Sequence, residues 1–210
     1  MAWRQLPLGP LQTNCYIYSN SNKECLIIDP GGDANKLIGI LQQQHLKPLA
    51  ILLTHAHFDH IGAVDEVRNK WGIPVYVHSK EKNWLTDPSL NGSQFFMAGS
   101  IKVSEPDELI RSEGYLTIGD FSLQVFETPG HSPGSVSFYA AEEGIVFSGD
   151  ALFAGSIGRT DLPGGNHDQL IKSIHDKLLT LPEETIVLSG HGHETSIEQE
   201  MESNPFLNGF

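Results

Sequence analysis

The sequence is poor in three features that mark whole classes of protein. It has only two cysteines among 210 residues, Cys15 and Cys25, too few for a disulfide framework and in no metal-binding spacing. Lysine and arginine number 13 against 26 acidic residues, and the resulting net charge of −13 disfavours a nucleic-acid partner. No stretch approaches the roughly 18 consecutive apolar residues that a membrane span requires.

The N-terminal segment also lacks the charged and apolar regions of a secretory signal peptide. We therefore expect a cytoplasmic protein with reduced thiols and neither a membrane nor a nucleic-acid partner. The length suits one domain over residues 1–210, and 21 glycines and 12 prolines indicate a turn-rich globular chain. Nothing in the sequence indicates the oligomeric state.

Strand-like and helix-like segments alternate along the chain. Apolar or alternating runs predict strands at 14–18, 24–29, 49–54, 75–78, 135–140, 144–150 and 185–190, with a hairpin around Gly119-Asp120. Amphipathic spacing predicts helices at 34–44, after Asp33 as N-cap, at 61–72, closed by Gly72, and near 167–179. Residues 80–100 are irregular and are interpreted as an insertion or lid. The pattern predicts an α/β fold of two sheets packed face to face with helices outside.

The segment THAHFDH, residues 54–60, follows a buried strand and contains four potential metal ligands. They are His55, His57, Asp59 and His60. A chain of this composition contains such a motif by chance roughly once in a thousand cases. Three neighbouring histidines repel one another when charged and need partners when buried, and metal ions satisfy both demands. The spacing indicates two ligand pairs for two adjacent ions.

Three later segments repeat one context, in which an apolar strand ends in a small-residue turn with one ligand-type side chain. They supply His131 in TPGHSPGS, Asp150 in VFSGDALF and His191 in VLSGHGHE. A glycine immediately precedes each ligand, where the missing Cβ permits close backbone approach or an unusual dihedral angle. These three residues are the expected remaining ligands.

In this order the motifs resemble those of the metallo-β-lactamase fold superfamily, and the resemblance runs from about residue 5 to the end. It implies a four-layer αββα sandwich of two mixed β-sheets flanked by helices. It implies two divalent metal ions, with zinc expected and iron or manganese as alternatives. It places His55, His57 and His131 on one ion and Asp59, His60 and His191 on the second, with Asp150 bridging both.

Aspartate at position 150 is similar to the glyoxalase II, or hydroxyacylglutathione hydrolase, branch, whereas many true β-lactamases place cysteine or serine there. The RNA-processing branch is longer and does not suit the acidic charge. The short chain and its NPFL tail resemble single-domain bacterial members of the glyoxalase II-like group. The resemblance implies hydrolysis of a small-molecule thioester by a metal-bridging hydroxide, with Asp59 as a ligand that also orients the nucleophile.

The loop SIGRTDLPGG departs from glyoxalase II proper. Arg159 stands where a lysine would grip glutathione, and Asp161 stands roughly where a tyrosine would. Arg159 is therefore a candidate substrate-binding residue, although a salt bridge with Asp161 that fixes the loop explains the pair equally well.

The GRTD sequence of this loop also resembles the persulfide dioxygenases, which bind a single iron through two histidines and one aspartate. In this chain these would be His55, His131 and Asp150. A mononuclear non-haem iron dioxygenase is therefore the alternative function. Among the aromatic residues, Trp84, Phe95, Phe96 and Phe153 are candidates for lining a substrate pocket or for packing a core.

Overall fold

The computed structural model describes residues 1–96 and 99–207. Backbone contacts divide these residues into two compact units, the first comprising residues 1–111 and 118–120 and the second residues 112–117 and 121–207. The prediction of a single domain is not tested by this division and remains a prediction.

The first unit is built on a six-stranded mixed sheet. Its strands are β1 (Ala2–Leu8), β2 (Thr13–Ser19), β3 (Glu24–Ile28), β4 (Lys47–Leu52), β5 (Val75–His78) and β6 (Glu108–Ile110), and they lie in this order. The strands β1 to β3 pair antiparallel, whereas β3 to β6 pair parallel. The carboxyl ends of β3, β4 and β5 therefore meet at one edge of the sheet.

The two longer helices of the first unit bury apolar faces. The helices of this unit are α1 (Ala34–Gln43), α2 (Phe58–Ile61), α3 (Val64–Trp71) and α4 (Ser93–Phe96), with a short 3₁₀ turn at Ser79–Glu81. Leu37 of α1 and Val67 of α3 belong to the same buried cluster as Ile51 and Val75 of the sheet. As predicted, Gly72 ends α3, in a left-handed conformation whose N–H donates to the Arg68 carbonyl at 2.7 Å.

The second unit contains another six-stranded mixed sheet and a small hairpin. In chain order its strands are β7 (Gly114–Ile118), β8 (Phe121–Glu127), β9 (Val136–Ala140), β10 (Ile145–Gly149), β11 (Leu152–Phe153), β12 (Ser156–Ile157), β13 (Ile186–Ser189) and β14 (Thr195–Ser196). The sheet has the order β14-β13-β10-β9-β8-β7, and β11 pairs with β12. Only β10 and β13 pair parallel among the pairings described in this sheet.

Two helices belong to the second unit. Helix α5 (His167–Ser173) begins at Asn166, whose side chain accepts the Gln169 N–H, and continues directly into a π-helical turn at Ile174–Leu178. The C-terminal helix α6 spans Ile197–Ser203. Leu170, Ile174 and Leu178 follow one another at four-residue spacing and are buried against the sheet.

The predicted fold class is confirmed, since both sheets are mixed and helices flank them. Strand β1 was not predicted from the sequence. It contains Pro7, which is tolerated because β1 is an edge strand of the sheet. Asp33 holds the N-cap position of α1, but its carboxylate accepts the Gly9 N–H at 2.9 Å instead of capping the helix.

The segment 80–100 interpreted as an insertion or lid contains the end of the 3₁₀ turn and α4, joined by turns. Met97 and Ala98, within this interpretation, lie outside the described residues. None of the helices in residues 1–96 and 99–207 combines the length and apolar character needed to cross a bilayer.

Candidate metal centre

The first cluster of candidate ligands lies at the carboxyl edge of the first sheet. THAHFDH begins two residues after β4 ends, and His57 is the N-terminal flanking residue of α2, so that Asp59 and His60 lie in a helical turn. His55 and His60 are almost fully buried, with ring centroids 4.0 Å apart, and the His55 and His57 rings meet edge to face at 4.8 Å. All four ligand-type residues predicted in this motif are thus neighbours.

A buried carboxylate at the end of β3 orients two of these histidines. Asp29 accepts the Thr54 N–H at 2.8 Å, the Thr54 hydroxyl at 2.5 Å and the His60 Nδ1 proton at 3.0 Å. Because the Thr54 hydroxyl hydrogen is donated to Asp29, its oxygen accepts from His55 Nδ1 at 3.2 Å. Both imidazoles therefore carry their proton on Nδ1, so that Nε2 is the unprotonated nitrogen, the one that a metal ion would need.

Asp59 is held by side-chain and backbone contacts. Its Oδ2 accepts the Thr13 hydroxyl at 2.7 Å and lies 3.5 Å from His60 Nε2. The turn after β3 packs so closely on α2 that a Cβ on Gly31 would lie 1.8 Å from the Asp59 carbonyl oxygen. Only glycine fits there, and the contact fixes the backbone of Asp59.

The segment that follows β5 contacts the same histidine loop from the other side. Glu81, fully buried, accepts the Ala56 N–H at 2.7 Å through Oε2. The Trp84 ring lies 5.4 Å from the His57 ring at an interplanar angle of 43°. Trp84 is buried in the core of this unit, so of its two predicted roles, lining a pocket or packing a core, it has the second.

The second cluster is formed by the ends of the two parallel strands of the second unit. Gly149 of β10 pairs with Ser189 of β13, and Asp150 and His191 follow them. Gly149 has a φ of 53°, so its position before a ligand requires the left-handed conformation expected of glycine. As a result His191 Nε2 lies 3.5 Å from Asp150 Oδ2.

His131 reaches the same carboxylate from the loop after β8. Gly130 has a φ of 133°, and a Cβ there would lie 2.3 Å from the Leu170 backbone nitrogen, so this glycine lets the loop pack on α5. His131 Nδ1 donates to the Arg159 carbonyl at 2.8 Å. Its Nε2, directed as a metal ligand would be, lies 3.6 Å from Asp150 Oδ2.

The hairpin β11–β12 returns the chain onto Asp150. Gly158 donates its N–H to the Ala151 carbonyl at 3.2 Å, and a Cβ on Gly158 would lie 1.8 Å from the Asp150 carbonyl oxygen. The glycine-rich loop therefore holds both Asp150, through Gly158, and His131, through the Arg159 carbonyl.

The donor separations suit a shared metal ion better than direct hydrogen bonds. A nitrogen and an oxygen bound to one tetrahedral ion at about 2.1 Å are about 3.4 Å apart. The three Nε2–Oδ2 separations of 3.5, 3.6 and 3.5 Å match that value and exceed the usual 2.7–3.2 Å hydrogen-bond range. Asp150 Oδ2 is common to two of them, as expected for a carboxylate oxygen shared by two ions.

The chemistry of the donors also fits divalent metal. Each of the seven predicted ligands belongs to a group of His and Asp side chains with donor atoms within 4.8 Å of one another. Imidazole nitrogens and carboxylate oxygens suit zinc, iron and manganese. Cys15 and Cys25 are buried on β2 and β3, and neither contributes a thiolate to these groups.

Arg159 and Asp161 form the predicted salt bridge. The guanidinium binds the carboxylate through two hydrogen bonds, from Nε at 2.7 Å and from an Nη at 2.9 Å. The hydrogen bond from Arg159 lowers the pKa of Asp161 to about 2, although both side chains are more than half exposed. The pair joins two residues of the same loop at the surface.

Asp29, Thr54 and Glu81 were not predicted from the sequence. Asp29 ends the strand run ECLIID as Asp150 ends GIVFSGD, so the shared strand-end context was the available signal. Glu81 carries no such signal, because its importance depends on the parallel pairing of β4 and β5.

Comparison with known proteins agrees with the fold and the motifs. The model of the metallo-beta-lactamase superfamily matches residues 8–191. The chain is 58% identical to a probable metallo-hydrolase, YqgX, of Bacillus subtilis, over all of this chain and 99% of that protein. It is 38% identical to the hydroxyacylglutathione hydrolase GloC of Haemophilus influenzae, over 97% of this chain and 96% of the relative.

Two solved structures are also similar along nearly the whole chain. BLEG-1, described as a B3 metallo-beta-lactamase, superposes with a TM-score of 0.98 at 59% identity, over 99% of this chain and all of the other. TTHA1623, solved in a di-iron-bound form, superposes with a TM-score of 0.88 at 42% identity, over 97% of this chain and all of the other.

Proposed function

Because the chain belongs to the metallo-beta-lactamase superfamily, we propose that it is a metal-dependent hydrolase that cleaves thioesters of the hydroxyacylglutathione type. The relative GloC, named a hydroxyacylglutathione hydrolase, supports this substrate class. The proposal includes two divalent ions, with zinc expected and iron or manganese as alternatives.

The observation that carries the proposal is the position of Asp150 between two histidines. Its Oδ2 lies at metal-sharing distances from His131 and His191, as a bridging ligand requires. We assign the ligands as the superfamily resemblance implies, with Asp150 on both ions. The remaining ligands are His55, His57 and His131 for one ion and Asp59, His60 and His191 for the other.

When bound, two such ions supply an ionised water at neutral pH and a Lewis acid for the thioester carbonyl. Asp59 contributes the orientation of the attacking water, since its carboxylate is fixed by Thr13 and its backbone by the turn at Gly31. A thiolate leaving group has a low enough pKa to depart without a strong acid. The scarcity of proton donors in the ligand set is therefore compatible with a thioester substrate.

Arg159 is the proposed contact for an anionic part of the substrate. Its side chain is more than half exposed, and its planar guanidinium can bind a substrate carboxylate through two hydrogen bonds in exchange for Asp161. Replacement of Arg159 by alanine is expected to raise KM more than it lowers kcat.

The test is an assay of purified protein reconstituted separately with zinc, iron and manganese. S-lactoylglutathione should be hydrolysed with kcat/KM above about 10⁴ M⁻¹ s⁻¹, and the activity should disappear after metal removal and return on reloading. Asp59→Asn, when fully metallated, should lose about 10²- to 10⁴-fold in kcat with little change in KM. Unchanged turnover in that variant, or no thioester cleavage with any metal, would contradict the proposal.

The alternative is a persulfide dioxygenase with one iron held by His55, His131 and Asp150. The di-iron form of TTHA1623 favours including it, because that similar protein accepts iron. Oxygen consumption with glutathione persulfide in the iron-loaded protein, without thioester cleavage, would support the dioxygenase. A β-lactam should be assayed together with these substrates, because the similar structure BLEG-1 is described as a B3 metallo-beta-lactamase.

A further inference from the structure

We propose that Glu81 and Trp84 are positioning residues for the metal ligand His57. The inference rests on the metal centre of the proposed function. It concerns the segment after β5, which the ligand motifs do not include and which forms the flank of the histidine loop opposite Asp29.

Glu81 fixes the peptide between the first two histidines. Its Oε2 accepts the Ala56 N–H at 2.7 Å, a short distance typical of a hydrogen bond to a carboxylate. Ala56 lies between His55 and His57, so the orientation of its peptide helps to set the directions in which both ligand side chains leave the backbone. The contact is fully buried, and water cannot replace Glu81 as the acceptor without a rearrangement.

Trp84 fixes the ring of His57. The two rings lie 5.4 Å apart, and the backbone N–H of Trp84 donates to the Glu81 carbonyl at 2.9 Å, so both contacts come from one turn of chain. A ring packed against an imidazole restricts its rotation about χ2. One turn thus restrains the backbone before His57 through Glu81 and the side chain of His57 through Trp84.

The turn is itself anchored. The Asn91 side chain donates to the Trp84 carbonyl at 3.0 Å, and the Val103 N–H donates to the Leu85 carbonyl at 2.8 Å. Asn91 is fully buried, and its side chain also donates to the Ile101 carbonyl at 3.0 Å. These hydrogen bonds hold the segment that carries Glu81 and Trp84 in place beside the loop of His55 and His57.

Two conservative substitutions distinguish the effect of the length of the Glu81 side chain from the effect of its charge. Glu81→Gln keeps the length and an acceptor oxygen for the Ala56 N–H but removes the charge. Glu81→Asp keeps the charge but is one methylene shorter and withdraws the acceptor. If Glu81 acts by positioning, the Gln variant should retain its metal affinity and the Asp variant should bind metal more weakly.

The experiment measures zinc affinity of the whole protein by competition with a chromophoric chelator, together with the absorption spectrum of the cobalt-loaded protein. We expect Glu81→Asp and Trp84→Ala to weaken one of the two sites about 10- to 100-fold and to alter the cobalt bands, as loss of an outer ligand contact typically does. Glu81→Gln and Trp84→Phe should remain within about threefold of the unchanged protein.

Asp107→Ala is the matched control. Asp107 accepts the Val75 N–H at 2.9 Å, at the opposite end of β5 from Glu81. The variant should lower thermal stability without changing zinc affinity or the cobalt spectrum. Equal zinc affinities in Glu81→Asp and the unchanged protein would overturn the inference, as would a loss in Glu81→Gln with retention in Glu81→Asp.

The binding measurement needs no substrate, so the inference and the proposed function can fail separately. Two bound ions and active thioester cleavage, with Glu81→Asp indistinguishable from the unchanged protein, would overturn the inference alone. Two bound ions with the predicted variant pattern but without thioester cleavage would overturn the substrate assignment and support the inference.

Discussion

Substitution of Asp29 by asparagine should change the tautomer of two candidate ligands, His55 and His60, by moving the ring proton from Nδ1 to Nε2. The asparagine side chain would present an amide NH₂ where Asp29 Oδ2 now accepts from the Thr54 hydroxyl and from His60 Nδ1. The Thr54 hydroxyl would accept from that amide and donate to His55 Nδ1 instead. Both histidines would then favour a proton on Nε2, the nitrogen that must be unprotonated to bind metal.

The expected loss of metal affinity follows from the hydrogen bonds that the substitution changes. Loss of an outer hydrogen-bond partner of a ligand typically weakens metal binding about 10- to 100-fold. Because His55 and His60 are assigned to different ions, both affinities should fall. The fold should survive, since Thr54 keeps acceptors and the lost charged hydrogen bond from His60 costs about 1.5–3 kcal/mol against a typical unfolding free energy of about 5–15 kcal/mol.

Zinc competition titration measures both affinities, and nitrogen-15 spectra of the histidine rings report the tautomers in the metal-free protein. Asp33→Asn is the matched control, because Asp33 shares the left-handed backbone of Asp29 and accepts a backbone N–H from Gly9 at 2.9 Å. The control should bind both ions normally. Two unchanged affinities in the Asp29 variant, or unchanged tautomers, would refute the reasoning.

Three further predictions concern separate parts of the chain. Gly158→Ala should lower metal occupancy by displacing Asp150, since the new Cβ would meet the Asp150 carbonyl oxygen at 1.8 Å; elemental analysis checks this, and full occupancy would contradict it. Burial raises the pKa of Cys15, and that of Cys25 to about 12, so neither thiol should react with a disulfide reagent at pH 8 until the protein unfolds. Cobalt, whose d–d transitions accept energy from an excited indole, should quench tryptophan fluorescence mainly through Trp84, 5.4 Å from the His57 ring; fluorescence titration of Trp84→Phe should show most of the quenching lost, and undiminished quenching would contradict this.

The candidate metal ligands could be proposed from the sequence because each has a local sequence signal. The motif THAHFDH follows a strand directly, and the segments with His131, Asp150 and His191 each combine an apolar run with a glycine before the ligand. In each case the signal lies within a few residues of the side chain that it predicts. The same is true of the helix end at Gly72, whose left-handed conformation a glycine after an amphipathic run predicts.

The surrounding support could not be predicted in the same way. Asp29 and Glu81 matter because β3 and β5 lie on either side of β4 with their carboxyl ends aligned, and that pairing joins residues 25 positions away from their partners. For Asp33 the sequence predicts a side-chain cap of α1 that the structure does not contain. Its carboxylate accepts the backbone N–H of Gly9, which is distant in the sequence. Tertiary contacts decided all three.

The most direct test of the account is a crystal structure of the zinc-loaded protein with anomalous scattering measured at the zinc edge. The account predicts two zinc peaks per chain, sharing Asp150 and each bound by histidines from both ligand clusters. A single peak held by one cluster alone, or zinc bound away from Asp150, would contradict it.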